Sequence, residues 1–286
     1  MRLYRGLVIV LAAMLASGPS SVPPAAADQA LVVRYPKRPD SPRWHYALGL
    51  IELALNKSGY QVTLQPTAEE MSQTRAAREL ELGGVDFIWT GTSAEYEKRF
   101  RAIRIPVMRG LDGYRICLIN PERQAAFSAV KSLGDLQQLS IGQDPGWSDV
   151  KVLDAAGFKI VTAPSESLPE MVERERFDCF LRGVHEAPTE ATKHPGLVVE
   201  RDLMIVYPFT SFFFVNKDKT EFASLLENGL KKAYADGSFM AYFKNHPAIK
   251  AIFADAHLDQ RRRFVIPNPL LTEETRAIPA EYWQGP

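Results

Sequence analysis

The sequence predicts an α/β protein with two Rossmann-like lobes, a ligand cleft between them and two hinge crossings. Three observations support this prediction. The order strand, helix, strand, helix, strand occurs twice. In both copies a glycine separates the first helix from the next strand, where a left-handed cap is expected. The chain of 286 residues also exceeds the common domain size of about 100–150 residues. Alternating strands and helices form parallel sheets, so each copy is expected to be one lobe.

The first 27 residues have the organisation of a signal peptide. Arg2 and Arg5 precede an apolar run at 7–16, and small residues follow up to Ala27. This run is too short to span the hydrocarbon core of a membrane, which is about 30 Å thick. We therefore expect a periplasmic protein whose signal peptide is cleaved near Ala27.

The charge balance argues against a nucleic-acid partner. The chain has 34 Lys and Arg and 34 Asp and Glu residues, whereas a nucleic-acid-binding protein usually shows a basic excess or a basic stripe. The cluster of three arginines at 261–263 is interpreted as a solvated helix end. We therefore expect no nucleic-acid partner.

The first repeat begins with a strand at 31–35. Ser41 followed by proline suits the start of a helix, and apolar residues then recur on one helix face at Trp44, Leu48, Ile51 and Leu55. A strand at 60–65, a second helix and a strand at 85–89 complete this repeat.

The second repeat has the same order of elements. A strand at 139–143 leads to a helix that ends before Gly157, and a strand at 158–163, a further helix and a strand at 177–181 follow. Asp86 and Asp178 occupy matching places in the two repeats. In open α/β sheets ligands bind beyond the carboxyl ends of the strands, so we expect the site there.

Two apolar segments, 113–120 and 207–216, are the expected crossings between the lobes. The predicted boundaries are 1–27 for the signal peptide, 28–112 and 213–286 for the first lobe, and 113–212 for the second lobe with its hinge crossings. The segment 222–243 has a helical pattern, and the proline-containing C-terminal stretch is expected to be an extended surface tail.

The chain has two cysteines, Cys117 and Cys179, and both lie in apolar strand-like runs. This setting favours two buried thiols, because side-by-side strands often place the sulfur atoms poorly for a bond. An oxidising compartment leaves a disulfide open as the alternative.

Three segments resemble the type 2 periplasmic binding proteins, specifically the family 3 solute-binding proteins of amino-acid uptake systems. They are RELELGGVDFIWTGTSAEYEKRFRAIRIP (78–106), KSLGDLQQLSIGQDPGWSD (131–149) and LLENGLKKAYADGSF (225–239). The likeness covers nearly the whole mature chain. The resemblance implies two lobes that close on a small solute like a hinge.

The resemblance also implies an arginine that holds the ligand carboxylate soon after the third strand of lobe one. Arg99 looks like that residue, with Arg104 as a nearby competitor, because a planar guanidinium binds a carboxylate with two hydrogen bonds. Thr90 and Thr92 offer hydroxyls beside a glycine that allows close approach to the backbone. Trp89 is interpreted as either a ligand contact or a core residue.

The matching turn of lobe two contains Trp147 and Ser148, and Ser148 is either a ligand contact or a helix cap. Many relatives place a carboxylate for the ligand's ammonium group shortly after the lobe-two strand, but here that position falls on Gly183. Either Glu186 or Asp149 restores an ammonium site, or Arg182 acts with Arg99 on an acid that has several anionic groups. Tyr35, Trp44 and Tyr46 are expected to add an aromatic wall, with the buried face of the helix as the alternative place for Trp44.

An enzyme is the main rival class, because some relatives of this fold are catalytic, such as dehydratases and transglycosylases. The sequence shows no nucleophile or phosphate-binding motif and no metal-ligand spacing, so we expect no catalytic residue, metal or cofactor; His185 with Glu186 is the one acid/base pair to check. The expected partners are a small solute and either the permease of an ABC transporter or a membrane receptor. We expect a monomer.

Overall fold

A computed structural model describes residues 29–283 of the chain. The predicted signal peptide therefore lies outside the described residues. Strands are found at β1 (Gln29–Lys37), β2 (Tyr60–Glu70), β3 (Ile88–Gly91), β4 (Arg101–Ile103), β5 (Tyr114–Ile119), β6 (Ser140–Gln143), β7 (Lys159–Thr162), β8 (Cys179–Gly183), β9 (Val198–Val199), β10 (Leu203–Val206), β11 (Ser211–Val215) and β12 (Arg262–Val265).

Helices alternate with these strands through both repeats. They are α1 (Pro42–Lys57), α2 (Gln73–Leu82), α3 (Ala94–Arg99), α4 (Gln124–Ser128), α5 (Leu133–Leu136), α6 (Asp149–Ala155), α7 (Leu168–Glu173), α8 (Ala187–Lys193), α9 (Thr220–Ala235), α10 (Ser238–Asn245), α11 (Pro247–Ala256) and α12 (Glu273–Arg276). The predicted helical segment 222–243 is divided between α9 and α10 by Gly237, which has a φ of +79°. Among the described residues, no helix is both long enough and apolar enough to cross a membrane.

The first lobe contains two groups of strands. Strand β1 pairs with β2 in parallel, and β11 lies between β3 and β4 and is antiparallel to both. Asp86 links the two groups, because its backbone N–H donates to the Arg34 carbonyl (2.8 Å) and its carboxylate accepts from the Arg34 N–H (2.7 Å).

The second lobe has one seven-stranded sheet in the order β12-β10-β5-β8-β6-β7, with β9 also paired to β5. Asp178 repeats the role of Asp86: its N–H donates to the Ser140 carbonyl (3.1 Å), and its carboxylate accepts from the Ser140 N–H (2.8 Å). The two aspartates that the sequence placed at matching positions therefore make the same strand-to-strand connection.

Glycine closes the first helix of each repeat as expected. Gly59 has a φ of +89° and Gly157 a φ of +77°, values in the left-handed region that residues with a Cβ rarely adopt. These two turns reverse the chain from helix to strand at the same point of each lobe, so the internal repeat extends to the backbone of the turns.

The C-terminal segment differs from the predicted surface tail. Strand β12 pairs in parallel with β10 of the second lobe, so the boundary that assigns 213–286 to lobe one is wrong for this strand. The chain then returns to lobe one, where Thr272 and Thr275 donate to Glu97 (both 2.8 Å). Residues 257–272 therefore add two crossings to the two that the sequence predicts.

The arginine cluster at 261–263 is also not a solvated helix end. Arg261 is buried, and its guanidinium donates to the carbonyls of Ala256 (2.6 Å) and Leu203 (3.1 Å) beside the buried Glu200 carboxylate. A guanidinium with five donors can satisfy several carbonyls at once, and here it fastens the start of β12 to β10.

Cys117 and Cys179 form a disulfide, with Cα atoms 5.3 Å apart. The expectation of two thiols is therefore wrong, and the alternative that was left open is correct. Strands β5 and β8 are antiparallel neighbours in which Cys117 faces Leu181. Because side chains alternate along a strand, Cys179 lies on the same face of the sheet as Leu181, diagonally across from Cys117.

Candidate functional site

A cleft of about 1200 Å³ lies between the lobes, where the carboxyl ends of their strands meet. Residues of both lobes line it. Eight of the ten predicted site residues are among them: Trp44, Trp89, Thr90, Thr92, Trp147, Ser148, Arg182 and Glu186. Tyr35 and Arg99 do not line the cleft.

The lobe-one wall is aromatic. Trp44, in the first turn of α1, stacks on Trp89 at the end of β3, with ring centroids 5.9 Å apart and planes at 19°. The Arg43 guanidinium lies 5.1 Å from the Trp89 ring centre, and Trp89 Nε1 donates to Ser211 Oγ (2.7 Å). Tyr35 stands 5.9 Å from the Trp44 ring and supports this wall without lining the cleft.

Both predicted threonines line the cleft, and the Thr92 hydroxyl is bonded within lobe one. Thr92 Oγ1 donates to Glu97 Oε1 (2.6 Å), the carboxylate that also binds the C-terminal segment. This donor is therefore already used inside lobe one. Thr90 also lines the cleft, at the position of β3 that faces Phe212 of β11.

Arg99 lies outside the cleft, which corrects its predicted role. Its Nε lies 3.0 Å from Glu81 and its Nη1 lies 2.9 Å from Glu95, and these two hydrogen bonds raise the pKa of Arg99. The residue is the last of the six in α3, while the first residue of that helix follows the cleft turn. A six-residue helix is about 9 Å long, so Arg99 is carried away from the ligand side. Arg104 binds Glu97 (2.9 Å) and does not line the cleft either.

Arg182 lines the lobe-two wall, but two carboxylates hold it. Its Nε and Nη2 bind the two oxygens of Glu190 at 2.8 and 2.7 Å, and Glu186 lies 3.3 Å away. The guanidinium also stacks over Trp147, 4.5 Å from the ring centre. The proposed pair of Arg182 and Arg99 for a polyanionic acid is therefore not formed.

Arg115, which the sequence interpretation did not identify, lies at the floor of the cleft. Its Nη2 lies 3.0 Å from Asp149, its Nη1 lies 3.7 Å from Glu186, and its Nε donates to the Tyr207 hydroxyl (2.9 Å). Tyr207 in turn donates to Asp149. Both carboxylates that were considered for the ligand's ammonium group thus face a buried guanidinium.

The pKa of Glu186 reflects these neighbours. Burial by itself raises the pKa, but His185, Arg182 and Arg115, together with the Gly183 N–H, lower it to about 2. Glu186 is therefore ionised throughout the ordinary pH range. It stabilises the second-lobe turn by accepting the Gly183 N–H at 2.9 Å.

Three lining residues carry a buried polar atom without a hydrogen-bond partner among the described residues: Arg43 Nε, Gln143 Oε1 and His185 Nδ1. Such atoms are uncommon in folded proteins and call for an explanation. Gln143 is the last residue of β6, which is where an α/β sheet places ligand contacts. That position was the sequence signal that could have identified it.

His185 and Glu186 do not form a close acid/base pair, because His185 Nε2 lies 3.8 Å from Glu186 Oε1. Burial lowers the pKa of His185 well below its usual value, and the Arg43 charge lowers it further. The imidazole is therefore neutral at pH 7. Ser148 lines the cleft, and its side chain makes no cap to α6.

Among residues 29–283, no cluster of three or more His, Cys, Asp or Glu side chains is placed to hold a metal ion. The polar groups of the cleft are guanidinium, carboxylate, ammonium, amide, imidazole and hydroxyl groups beside three indole rings. This combination is suited to binding a small polar molecule through hydrogen bonds and ring contacts.

No protein-family model and no curated protein matches the sequence. Solved structures do match the fold. A probable amino-acid ABC transporter extracellular-binding protein from Bacillus subtilis is 13% identical, with 78% of this chain and 99% of that one covered and a TM-score of 0.56.

Two further solved structures match at similar levels. An amino acid ABC transporter substrate-binding protein from Streptococcus pneumoniae, bound to L-arginine, is 16% identical, covers 78% of this chain and 96% of its own, and has a TM-score of 0.51. An ancestral arginine-binding protein bound to glutamine is 15% identical, with 76% of this chain and 98% of that one covered and a TM-score of 0.51. Two lobes, a cleft lined by both and these matches together identify the fold of this chain as that of the type 2 periplasmic binding proteins.

Proposed function

We propose that this protein is a periplasmic solute-binding protein that captures an amino acid or a related small polar solute between its lobes. The observation that carries the proposal is the cleft itself, which is lined by three tryptophans and by buried polar atoms that lack a partner within the described residues. A bound solute supplies those partners and recovers the free energy that each unpaired buried group costs, about 1–3 kcal/mol.

Capture by closure is the proposed mechanism. Trp44, Trp89 and Arg43 belong to lobe one, whereas Gln143, Trp147 and His185 belong to lobe two. A solute that contacts both sets binds the closed form more tightly than the open form, so it shifts the population toward closure. Delivery to the permease of an ABC transporter is the proposed next step.

The binding test uses the protein without residues 1–27, unfolded and refolded to remove any solute carried through purification. Thermal melts are recorded against amino acids, dicarboxylates, polyamines and small peptides. A solute at 1,000 times its Kd stabilises by about 4 kcal/mol, and we expect a large rise in Tm for one chemical group of solutes.

Two variants and a control locate the site. We expect Trp89→Ala in lobe one and Trp147→Ala in lobe two each to reduce the Tm shift, whereas Arg99→Ala keeps it, because Arg99 lies outside the cleft. A full shift in both tryptophan variants would place the solute elsewhere. Conversion of the bound solute to a product would make the protein an enzyme on this fold, and unchanged small-angle scattering at saturating solute would exclude closure.

A further inference from the structure

We propose that Gln143 and His185 are the specificity-determining residues of lobe two, and that they receive N–H donors of the ligand with neutral acceptor atoms. The ligand class that follows is a solute with an ammonium, guanidinium or amide group, in preference to a dicarboxylate. This inference rests on the proposed function and concerns the same cleft.

The charges of the cleft disfavour an anionic ligand. Each of its three inner guanidinium groups already has a carboxylate partner: Asp112 lies 2.9 Å from Arg43, Asp149 lies 3.0 Å from Arg115, and Glu190 lies 2.7 Å from Arg182. The acidic lining residues are Asp40, Asp112, Asp149, Glu186, Glu190 and Asp255, and the basic ones are Arg38, Arg43, Arg115, Arg182 and Lys193. The acids outnumber the bases by one, and the guanidinium groups of Arg43, Arg115 and Arg182 are paired, so a second carboxylate of a ligand meets no unpaired guanidinium among these three.

Gln143 presents an acceptor to the cleft. Its side chain is fully buried, and Nε2 donates to the Leu181 carbonyl (2.8 Å). Because a carbonyl only accepts hydrogen bonds, this contact fixes which end of the amide carries the nitrogen. The oxygen therefore occupies the other position, where it has no donor among the described residues.

His185 presents a second acceptor. The charged groups that act on it are Arg43 of α1, Arg115 of β5, Arg182 of β8 and the adjacent Glu186, and burial together with the three guanidinium charges keeps the ring neutral. A neutral imidazole carries its proton on one nitrogen. The Glu186 carboxylate is near Nε2, at 3.8 Å, and attracts the proton there, which leaves the Nδ1 lone pair free.

Both acceptors stand at the same edge of the lobe-two sheet. Strands β6 and β8 are parallel neighbours; Gln143 ends β6, and His185 follows the end of β8 by two residues. This is the edge at which the expected ammonium-binding carboxylate is replaced by Gly183. Two neutral acceptors thus stand at this edge beside Glu186, whose carboxylate already faces Arg115 and Arg182, and Arg43 Nε offers one donor from the opposite lobe.

The first test compares pairs of solutes with the same shape on the unaltered protein lacking residues 1–27. L-Glutamine is compared with L-glutamate and L-asparagine with L-aspartate by calorimetry, and L-arginine is added as a guanidinium-bearing solute. We expect an amide- or guanidinium-bearing solute to bind at least about 10-fold more tightly than the isosteric carboxylate, since a lost hydrogen bond with an unpaired acceptor costs about 1–3 kcal/mol.

The second test uses variants with matched controls. Gln143→Met and His185→Phe are each expected to weaken binding of the preferred solute about 10-fold, while His185→Gln, which keeps an acceptor, retains most of the affinity. Gln137→Met and His194→Phe are the controls, because Gln137 also donates to a backbone carbonyl in lobe two (Ala156, 2.6 Å) and neither residue lines the cleft.

The outcomes separate this inference from the proposed function. Tighter binding of a dicarboxylate than of its amide counterpart, or unchanged affinity in Gln143→Met and His185→Phe, overturns the inference while solute binding stands. The absence of binding by every solute class overturns the proposed function and the inference together.

Discussion

The two walls of the cleft are built from different chemistry, although both lobes contain the same repeated order of strands and helices. In lobe one, Trp44 and Trp89 stack on each other, and the Arg43 guanidinium lies over the Trp89 ring. In lobe two, Arg115 and Arg182 are held by a network of carboxylates beside a single tryptophan. The same backbone scaffold therefore supports a mainly aromatic wall on one side and a mainly ionic wall on the other.

The repeated backbone determines where the residues of each wall lie, and the side chains at those positions determine what each wall does. An aromatic wall gains stability by removing ring surface from water, with no strict requirement for partners. A buried ionic wall is stable only when every charge is paired. Lobe two should therefore be the more sensitive half of the protein to single substitutions, and the predictions below test this difference.

The largest effect is expected for Arg115→Met. Removal of this buried guanidinium leaves Asp149 without its ion-pair partner, Glu186 with one cation fewer and the Tyr207 hydroxyl without its donor. We expect the free energy of unfolding to fall by about 3–5 kcal/mol, measured by urea denaturation. A loss below about 1 kcal/mol would mean that the network adds little to the stability of the second lobe.

The next largest effect concerns the disulfide. Its cysteines are separated by 62 residues of lobe two, so reduction should destabilise that lobe by about 2–4 kcal/mol. A Cys117→Ala/Cys179→Ala double variant should show faster hydrogen exchange in strands β5 and β8 and unchanged exchange in β3 and β11. Equal acceleration in both sheets would contradict the assignment of this stabilisation to one lobe.

Glu186→Gln should lower the free energy of unfolding by a smaller and pH-dependent amount, about 1.5–3 kcal/mol at pH 7. The pKa of Glu186 is lowered from its usual 4.5 to about 2, so the folded state binds fewer protons than the unfolded state between these values. The stability contributed by this carboxylate is present above about pH 4.5 and is lost as the pH falls toward 2. The free energies of unfolding of the unaltered protein and of Glu186→Gln should be measured between pH 2 and 6, and the difference between them should become smaller as the pH falls. A difference that stays constant over this range would exclude the ionisation of Glu186 as its cause.

The smallest effect is expected for Arg99→Met, which should lower the free energy of unfolding by less than about 1 kcal/mol. Arg99 and its partners Glu81 and Glu95 are partly exposed on the outer face of lobe one, where water screens the ion pairs. Solute affinity should also be unchanged in a calorimetric titration. A clear loss of affinity would show that the outer face of α3 contributes to binding.

Much of the fold was predictable because it depends on local patterns. The repeated order of strand and helix segments predicted the strands of both repeats, and glycine before β2 and β7 predicted two left-handed turns. Of the candidate site residues, Trp89 was found because it ends the predicted strand 85–89, and Trp147 because it lies in the turn after the predicted strand 139–143. The same rule would also have indicated Gln143.

The remaining features could not be predicted because they depend on distances between residues far apart in the chain. Arg99 is of the residue type expected to bind the carboxylate of a ligand, but the short helix α3 carries it to the outer face of lobe one. The position of Arg115 beside Asp149 depends on how β5 and α6 pack, and the path of residues 257–272 depends on an open edge of the lobe-two sheet at β10.

Local sequence patterns therefore establish the repeat, the order of strands and helices and the edge of each sheet where a ligand site belongs, since periodicity and turn residues act over a few positions. The folded chain shows in addition which charges neutralise each other, that Cys117 and Cys179 are bonded, and which polar atoms remain for a solute. Ion pairs, disulfides and hydrogen bonds require contact in space, and contact between distant residues is established only when the chain has folded.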